Sequence, residues 1–107
     1  MHIRIQKMKT YYVYIALCSD DSYYTGVTNN IEVRLAQHNQ GTDEACYTYS
    51  RRPVNLKYYE PFNDIKQAIA REKQIKGWSR KKKQALILQD WDKLVAYSQR
   101  KKPDLGA

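Results

Sequence analysis

Residues 12–38 read YVYIALCSDDSYYTGVTNNIEVRLAQH. From Tyr11 to Cys18 the chain is rich in aromatic and β-branched residues and apolar on both alternating faces. That is the pattern of a central strand covered on both sides. Ser19-Asp20-Asp21-Ser22 is a turn cluster, so residues 23–28 form the returning strand of a hairpin. Gly26 within that strand loses packing and costs conformational entropy, which marks a bulge or a close backbone approach. Asn29 or Asn30 then caps a helix, in which Ile31, Leu35 and His38 fall at i, i+4 and i+7 with Arg34 on the flank. Asn39-Gln40-Gly41 supplies a left-handed stop.

Polar groups recur along this stretch. Tyr14 is followed after ten residues by Tyr24, after ten more by Arg34, and after a further four by His38, one helical turn beyond the arginine. Tyr14 and Tyr24 share a sheet face only if the connection between the strands is odd in length or a bulge lies between them, because side chains alternate and opposed residues share a face. The expectation is therefore an odd connection, or a bulge between Tyr14 and Tyr24, with both phenols facing Arg34 and Glu72.

Beyond a polar loop at residues 42–53, residues 56–62 read as a third strand, with Val54 leading into it. Asn63 caps a second helix whose buried stripe is Ile65, Ala68, Ile69 and Ile75. Gly77 stops it, Ser79 caps a third helix, and residues around Trp91, Leu94 and Val95 form a short last one. The 107 residues suffice for one domain with one modest core. Its core is expected at about residues 11–90, with 1–10 and 98–107 flexible.

The 19 Lys and Arg against 11 Asp and Glu leave a formal charge of +8. A surplus of that size favours a polyanionic partner, nucleic acid before membrane, over a merely solvated basic surface. No apolar run approaches the ~20 residues that cross a bilayer, and the start MHIRIQKMKT lacks the apolar centre of a signal peptide. Cys18 and Cys46 are in no C-x-x-C arrangement, which points to reduced thiols and a cytoplasmic location. Cys18, Cys46, His2 and His38 match no zinc spacing.

Glu72 stands inside the apolar stripe of its helix, four after Ala68 and three before Ile75. A carboxylate so placed is either ion-paired, with Arg34 a candidate partner, or holds a cation. From Asp64 to Lys83 there are eight cations against two acids: Lys66, Arg71, Lys73, Lys76, Arg80, Lys81, Lys82 and Lys83. The last four load the first turn of a helix, where each exposed cation costs roughly 0.3–1 kcal/mol against the macrodipole. Stability favours Asp or Glu there, so the run reads as a phosphate-binding site. Two phenols, a guanidinium, an imidazole and a carboxylate are the parts phosphodiester hydrolysis needs.

The hairpin and first helix resemble the GIY-YIG nuclease superfamily, whose two triplets stand here as Tyr12-Val13-Tyr14 and Tyr24-Thr25-Gly26. The segment AREKQIKGWSRKKKQALI is similar to that of the small stand-alone bacterial members. The resemblance implies an α/β (α+β) sandwich, a small three-stranded antiparallel sheet flanked by helices. It also implies hydrolysis of DNA with a single divalent cation, Mg²⁺ or Mn²⁺, held by Glu72. Tyr14 is then the base, Tyr24 and His38 assist by hydrogen bonding and proton relay, and Arg34 neutralises the scissile phosphate. An unperturbed phenol titrates near ~10, so the base role requires help from nearby cations. Val27 stands where some repair nucleases carry lysine, and an asparagine that several branches place after the glutamate has no match. The resemblance makes DNA repair or recombination the default role. A non-catalytic nucleic-acid-binding module of the same fold, acting as partner to another protein, is the alternative. An RNA-binding module with stacking tyrosines leaves Glu72 unexplained.

Overall fold

The computed structural model describes residues 9–99. Three strands, β1 (Tyr11–Leu17), β2 (Tyr23–Thr28) and β3 (Asn55–Phe62), form one antiparallel sheet in the order β2-β1-β3. Around it stand α1 (Ile31–Gln40), α2 (Ile65–Lys76), α3 (Arg80–Ile87) and α4 (Trp91–Ser98). The expected α+β architecture is the one observed. Strand β1 is central, and its period of two sends alternate residues into two separate layers. Val13 and Ile15 pack with Ala68 and Ile75 of α2 and Leu86 of α3. Tyr14 and Ala16 pack on the opposite side with Val54 and with Leu35 of α1.

The hairpin turn has an odd loop of Ser19, Asp20 and Asp21. Asp21 N–H donates to the Cys18 carbonyl at 3.0 Å, Cys18 N–H donates to the Ser22 carbonyl at 2.8 Å, and Asp21 takes the left-handed φ of 65° that three-residue hairpin loops require. Ala16 therefore opposes Tyr24, and Tyr14 opposes Gly26. Both phenols lie on the α1 face. Gly26 is where the Tyr14 ring crosses the neighbouring backbone: a Cβ there would stand 2.6 Å from Tyr14 Oη and 2.7 Å from Cζ. Of the two expectations for this glycine, close approach is the one realised.

Helix α1 begins at Asn30, whose side chain accepts from Val33 N–H, and ends at Gly41 with φ 68°. Two details of α2 differ from expectation. Its cap is Asp64, whose carboxylate accepts from Lys66 N–H at 2.8 Å, not Asn63. Its buried line is Ala68 and Ile75, while Ile65 and Ile69 are 38% and 39% exposed. A three-stranded sheet is too narrow to cover a broad helix face, so only the central line is sealed. Ser79 caps α3 through Lys82 N–H as expected, with residues 80–83 in the first turn. The flexible ends expected at 1–10 and 98–107 fall almost wholly outside the described residues, although Ser98 closes α4. Among the described residues no helix is long and apolar enough to cross a membrane.

Candidate functional site

Four of the five expected site residues meet on the α1 face. The Tyr14 phenol hydrogen-bonds His38 Nε2 at 2.8 Å. The Tyr24 ring lies 4.9 Å from the imidazole and 6.1 Å from the Tyr14 ring, centroid to centroid. Arg34, one turn before His38 on α1, donates to Gln37 Oε1 at 3.3 Å and neighbours both phenols. Tyr14 is 1% exposed and His38 3% exposed, so the hydrogen bond between them is shielded from bulk solvent.

Burial decides the protonation states. It pushes the Tyr14 phenol well above its ordinary value, Tyr24 adds to the rise, and the Arg34 guanidinium only partly opposes it. Burial also pulls His38 down to about 4, with Arg34 adding to the fall. At neutral pH the pair is therefore a protonated phenol beside a neutral imidazole. Burial works against the Arg34 charge as well, but Tyr14 and Tyr24 outweigh it and hold the guanidinium more firmly protonated. A fixed cation thus stands next to two hydroxyls, an arrangement suited to an anionic ligand.

Glu72 arrives from the other layer. It lies on α2 between Ala68 and Ile75 and pairs with Lys76 at 2.6 Å, not with Arg34. Lys76 in turn sits 6.0 Å from the Tyr24 ring, which links the carboxylate to the phenol cluster around the free edge of β2. The expectation that both phenols face Glu72 directly is replaced by this indirect connection. Among the described residues no three His, Cys, Asp or Glu side chains gather. A lone, half-buried carboxylate fits Mg²⁺ or Mn²⁺, which are bound through one or two carboxylates with water and substrate phosphate completing the shell. It does not fit structural zinc, which takes four protein ligands.

The eight expected phosphate-binding cations separate into groups. Arg71 is committed: Nε and Nη2 each donate to the Glu60 carboxylate at 2.8 Å, and Nη1 donates to Gln74 Oε1 at 2.9 Å. Arg80 donates to the Asp21 carbonyl and lies over the Tyr23 ring. Lys82 lies over Trp78. Lys66, Lys73 and Lys81 are exposed. Lys76 and Lys83 line a pocket of about 230 Å³ with Tyr23, Tyr24, Thr25 and Tyr47. Burial, and then the charge of Lys76, lower the pKa of Lys83. The Thr25 hydroxyl is buried there without a hydrogen-bond partner among the described residues.

Two neighbours of the site were invisible in sequence. Tyr47 stacks on Tyr24 at 6.4 Å and 19°, and carries the Arg51 guanidinium at 3.8 Å on its ring. Thr48 Oγ1 lies 2.7 Å from His38 Nδ1. Both sit in the loop after α1, whose course follows no period. The loop is pinned where Asn39 exchanges two hydrogen bonds with the Val54 backbone, at 2.7 and 3.0 Å.

Residues 10–85 match the family described as GIY-YIG catalytic domain. A UPF0213 protein of Staphylococcus haemolyticus is 49% identical over 80 residues, which cover 75% of this chain and 96% of that protein. One from Haloquadratum walsbyi is 45% identical over 82 residues, or 77% of this chain and 91% of that one. The solution NMR structure of the protein EF2693 from E. faecalis is similar with a TM-score of 0.52 and 34% identity, covering 89% of this chain and 95% of that one. That of a UPF0213 protein from Bacillus halodurans is similar with a TM-score of 0.50 and 32% identity, covering 85% and 99%. With triplets, helix and sheet in the register the site requires, the chain belongs to the GIY-YIG nuclease family, alongside its small UPF0213 relatives.

Proposed function

We propose that this protein is a divalent-metal-dependent endonuclease that hydrolyses a phosphodiester bond of DNA. The observation that carries the reading is the buried Tyr14–His38 hydrogen bond beside the Arg34 guanidinium. A buried, protonated phenol cannot wait as a phenolate; it acts as a base only by passing its own proton on while it accepts another. His38 Nε2, 2.8 Å away on a neutral ring, is placed to take that proton. The attacking water gives a proton to Tyr14 as the Tyr14 proton moves to the imidazole. Burial is the larger cause of the low His38 value; a phosphate arriving at Arg34 offsets the smaller, guanidinium part, so the imidazole becomes somewhat more basic when substrate is present. Arg34 holds the charge that builds on the phosphate oxygens, and Tyr24 closes the site by packing on His38.

Glu72 would hold the divalent cation, which when bound supplies Lewis-acid stabilisation of the phosphate oxygens. The strand approaches along the free edge of β2, over Tyr47, Lys76 and Lys83. Lys66, Lys73, Lys81 and Lys82 extend the basic field, and Arg71 is outside it. The default setting is DNA repair or recombination in the cytoplasm.

The test is Glu72→Gln, assayed with Mn²⁺ or Mg²⁺ on single-stranded, duplex, flap and junction DNA. Its partner Lys76 is 53% exposed, and pairs with so exposed a member are worth about 0–1 kcal/mol. Cleavage should vanish while the melting midpoint stays close to the parent's and DNA binding persists. Equal cleavage by the variant would overturn the metal assignment. A parent that binds DNA but cleaves none of these substrates would favour the non-catalytic module.

A further inference from the structure

Thr48 is buried, 1% exposed, at the end of a chain of hydrogen bonds that enters the site from the loop. Its Oγ1 lies 2.7 Å from His38 Nδ1 and 3.3 Å from Cys46 Sγ. His38 Nε2 lies 2.8 Å from Tyr14 Oη. A neutral imidazole carries one proton, on one nitrogen or the other. The partners at the two nitrogens, Tyr14 at Nε2 and Thr48 at Nδ1, together decide which.

If Nε2 carried the proton, it would donate to Tyr14. The Tyr14 O–H would then need an acceptor of its own. Among the described residues Tyr14 Oη has no hydrogen-bond partner besides His38, and the Arg34 guanidinium beside it has donors and no acceptor. The phenol proton would be buried without a partner, which is the costly state for a hydroxyl. If Nδ1 carries the proton instead, every group is satisfied. Tyr14 donates to bare Nε2, Nδ1–H donates to Thr48 Oγ1, and the single Thr48 proton is free to point at Cys46 Sγ.

We propose that Thr48 is a positioning residue, whose hydroxyl accepts the His38 Nδ1 proton and so leaves Nε2 bare toward Tyr14. In the relay, the Tyr14 proton can move only onto a nitrogen that has none. With the opposite tautomer the phenol faces an N–H, and the transfer from Tyr14 to the ring is blocked. Thr48 therefore sets the direction of the relay without touching the reacting atoms. The catalytic consequence rests on the nuclease reading; the tautomer does not.

The experiment is ¹⁵N NMR of the His38 ring at neutral pH in the parent, Thr48→Val and Thr48→Ser proteins, with cleavage and DNA affinity measured on the same samples. The parent should show a protonated Nδ1 and a bare Nε2. Thr48→Val, close in shape but without the hydroxyl, should shift the ring toward the Nε2–H tautomer. Its kcat should fall roughly 10- to 100-fold, the scale of losing a partner that orients a histidine, with DNA affinity unchanged. Thr48→Ser should restore both the tautomer and the rate, which a role in packing the threonine methyl would not do. A parent ring protonated at Nε2 overturns the proposal, whether or not Thr48→Val folds. So does a Thr48→Val protein with the parent's tautomer and rate. Should the parent cleave no DNA, the NMR result still decides what Thr48 does, and only the nuclease reading falls.

Discussion

Tyr14 and His38 form one unit, and the unit has a pH signature. Burial, reinforced by Arg34, lowers His38 to about 4 in the folded protein, against ~6.5 for an unperturbed imidazole. The folded state thus refuses a proton that the unfolded chain accepts. The stability this contributes is complete above ~6.5 and is lost as pH falls toward about 4. Asp20 and Glu60 also have lowered values, Asp20 through its Ser22 hydrogen bonds, Glu60 through Arg71 and Tyr58 against the opposing effect of burial. Their contribution is lost only below the ordinary carboxylate range of ~4–4.5. Urea denaturation from pH 7 to pH 4.5 should therefore show stability falling with pH in the parent and much less so in His38→Gln. An equal slope in both proteins would mean that His38 titrates normally.

At the scale of elements, α2 brings Glu72 and Lys76 to the β2 edge together, spaced i and i+4 on one helix face. The bond to Glu72 raises the Lys76 pKa, so at neutral pH an ammonium occupies the carboxylate. A divalent cation must displace it. Lys76→Met should therefore tighten Mn²⁺ binding in the absence of DNA, by several-fold if the pair is worth about 0.5–1 kcal/mol. It should at the same time weaken DNA binding, because Lys76 lines the pocket with Lys83. Calorimetric titration with Mn²⁺ alone measures the first effect. Unchanged or weaker Mn²⁺ affinity would show that the ion pair does not guard the carboxylate.

Over the whole molecule, a positive count does not measure a positive surface. Arg71 bonds Glu60 with two nitrogens and so ties α2 to β3, whereas Lys81 is exposed at the start of α3 and Lys82 and Lys83 are half-buried beside it. Each phosphate contact contributes roughly one unit to the slope of log K against log salt. Changing Lys81, Lys82 and Lys83 to Gln should flatten that slope and weaken binding at low salt. Arg71→Met should leave the slope alone and lower the melting midpoint, since it strands a half-buried Glu60. Fluorescence anisotropy at several salt concentrations, with thermal melts, checks both. A slope that responds to Arg71 and not to the lysines would relocate the nucleic-acid face.

What the residues determine alone is whatever depends on short-range periodicity. The apolar run of β1 announces a strand covered on both faces, and the Asn30, Ser79 and Gly41 caps mark where α1 and α3 begin and α1 ends. If Tyr14 and Tyr24 share a face, the parity of their spacing calls for an odd loop or a bulge, and the odd loop with Asp21 is the one observed. Ile65 and Ile69 show the limit: helical period identifies a stripe, but the width of the opposing sheet decides how much of it is buried. The tertiary structure alone decided which charges pair across long separations, as Arg71 does with Glu60 and Glu72 does not with Arg34. It also placed Thr48 and Tyr47 against the site. They lie in a loop whose path is set by its anchors at Asn39 and Val54 rather than by any repeat, so no local pattern in the chain records where those side chains arrive.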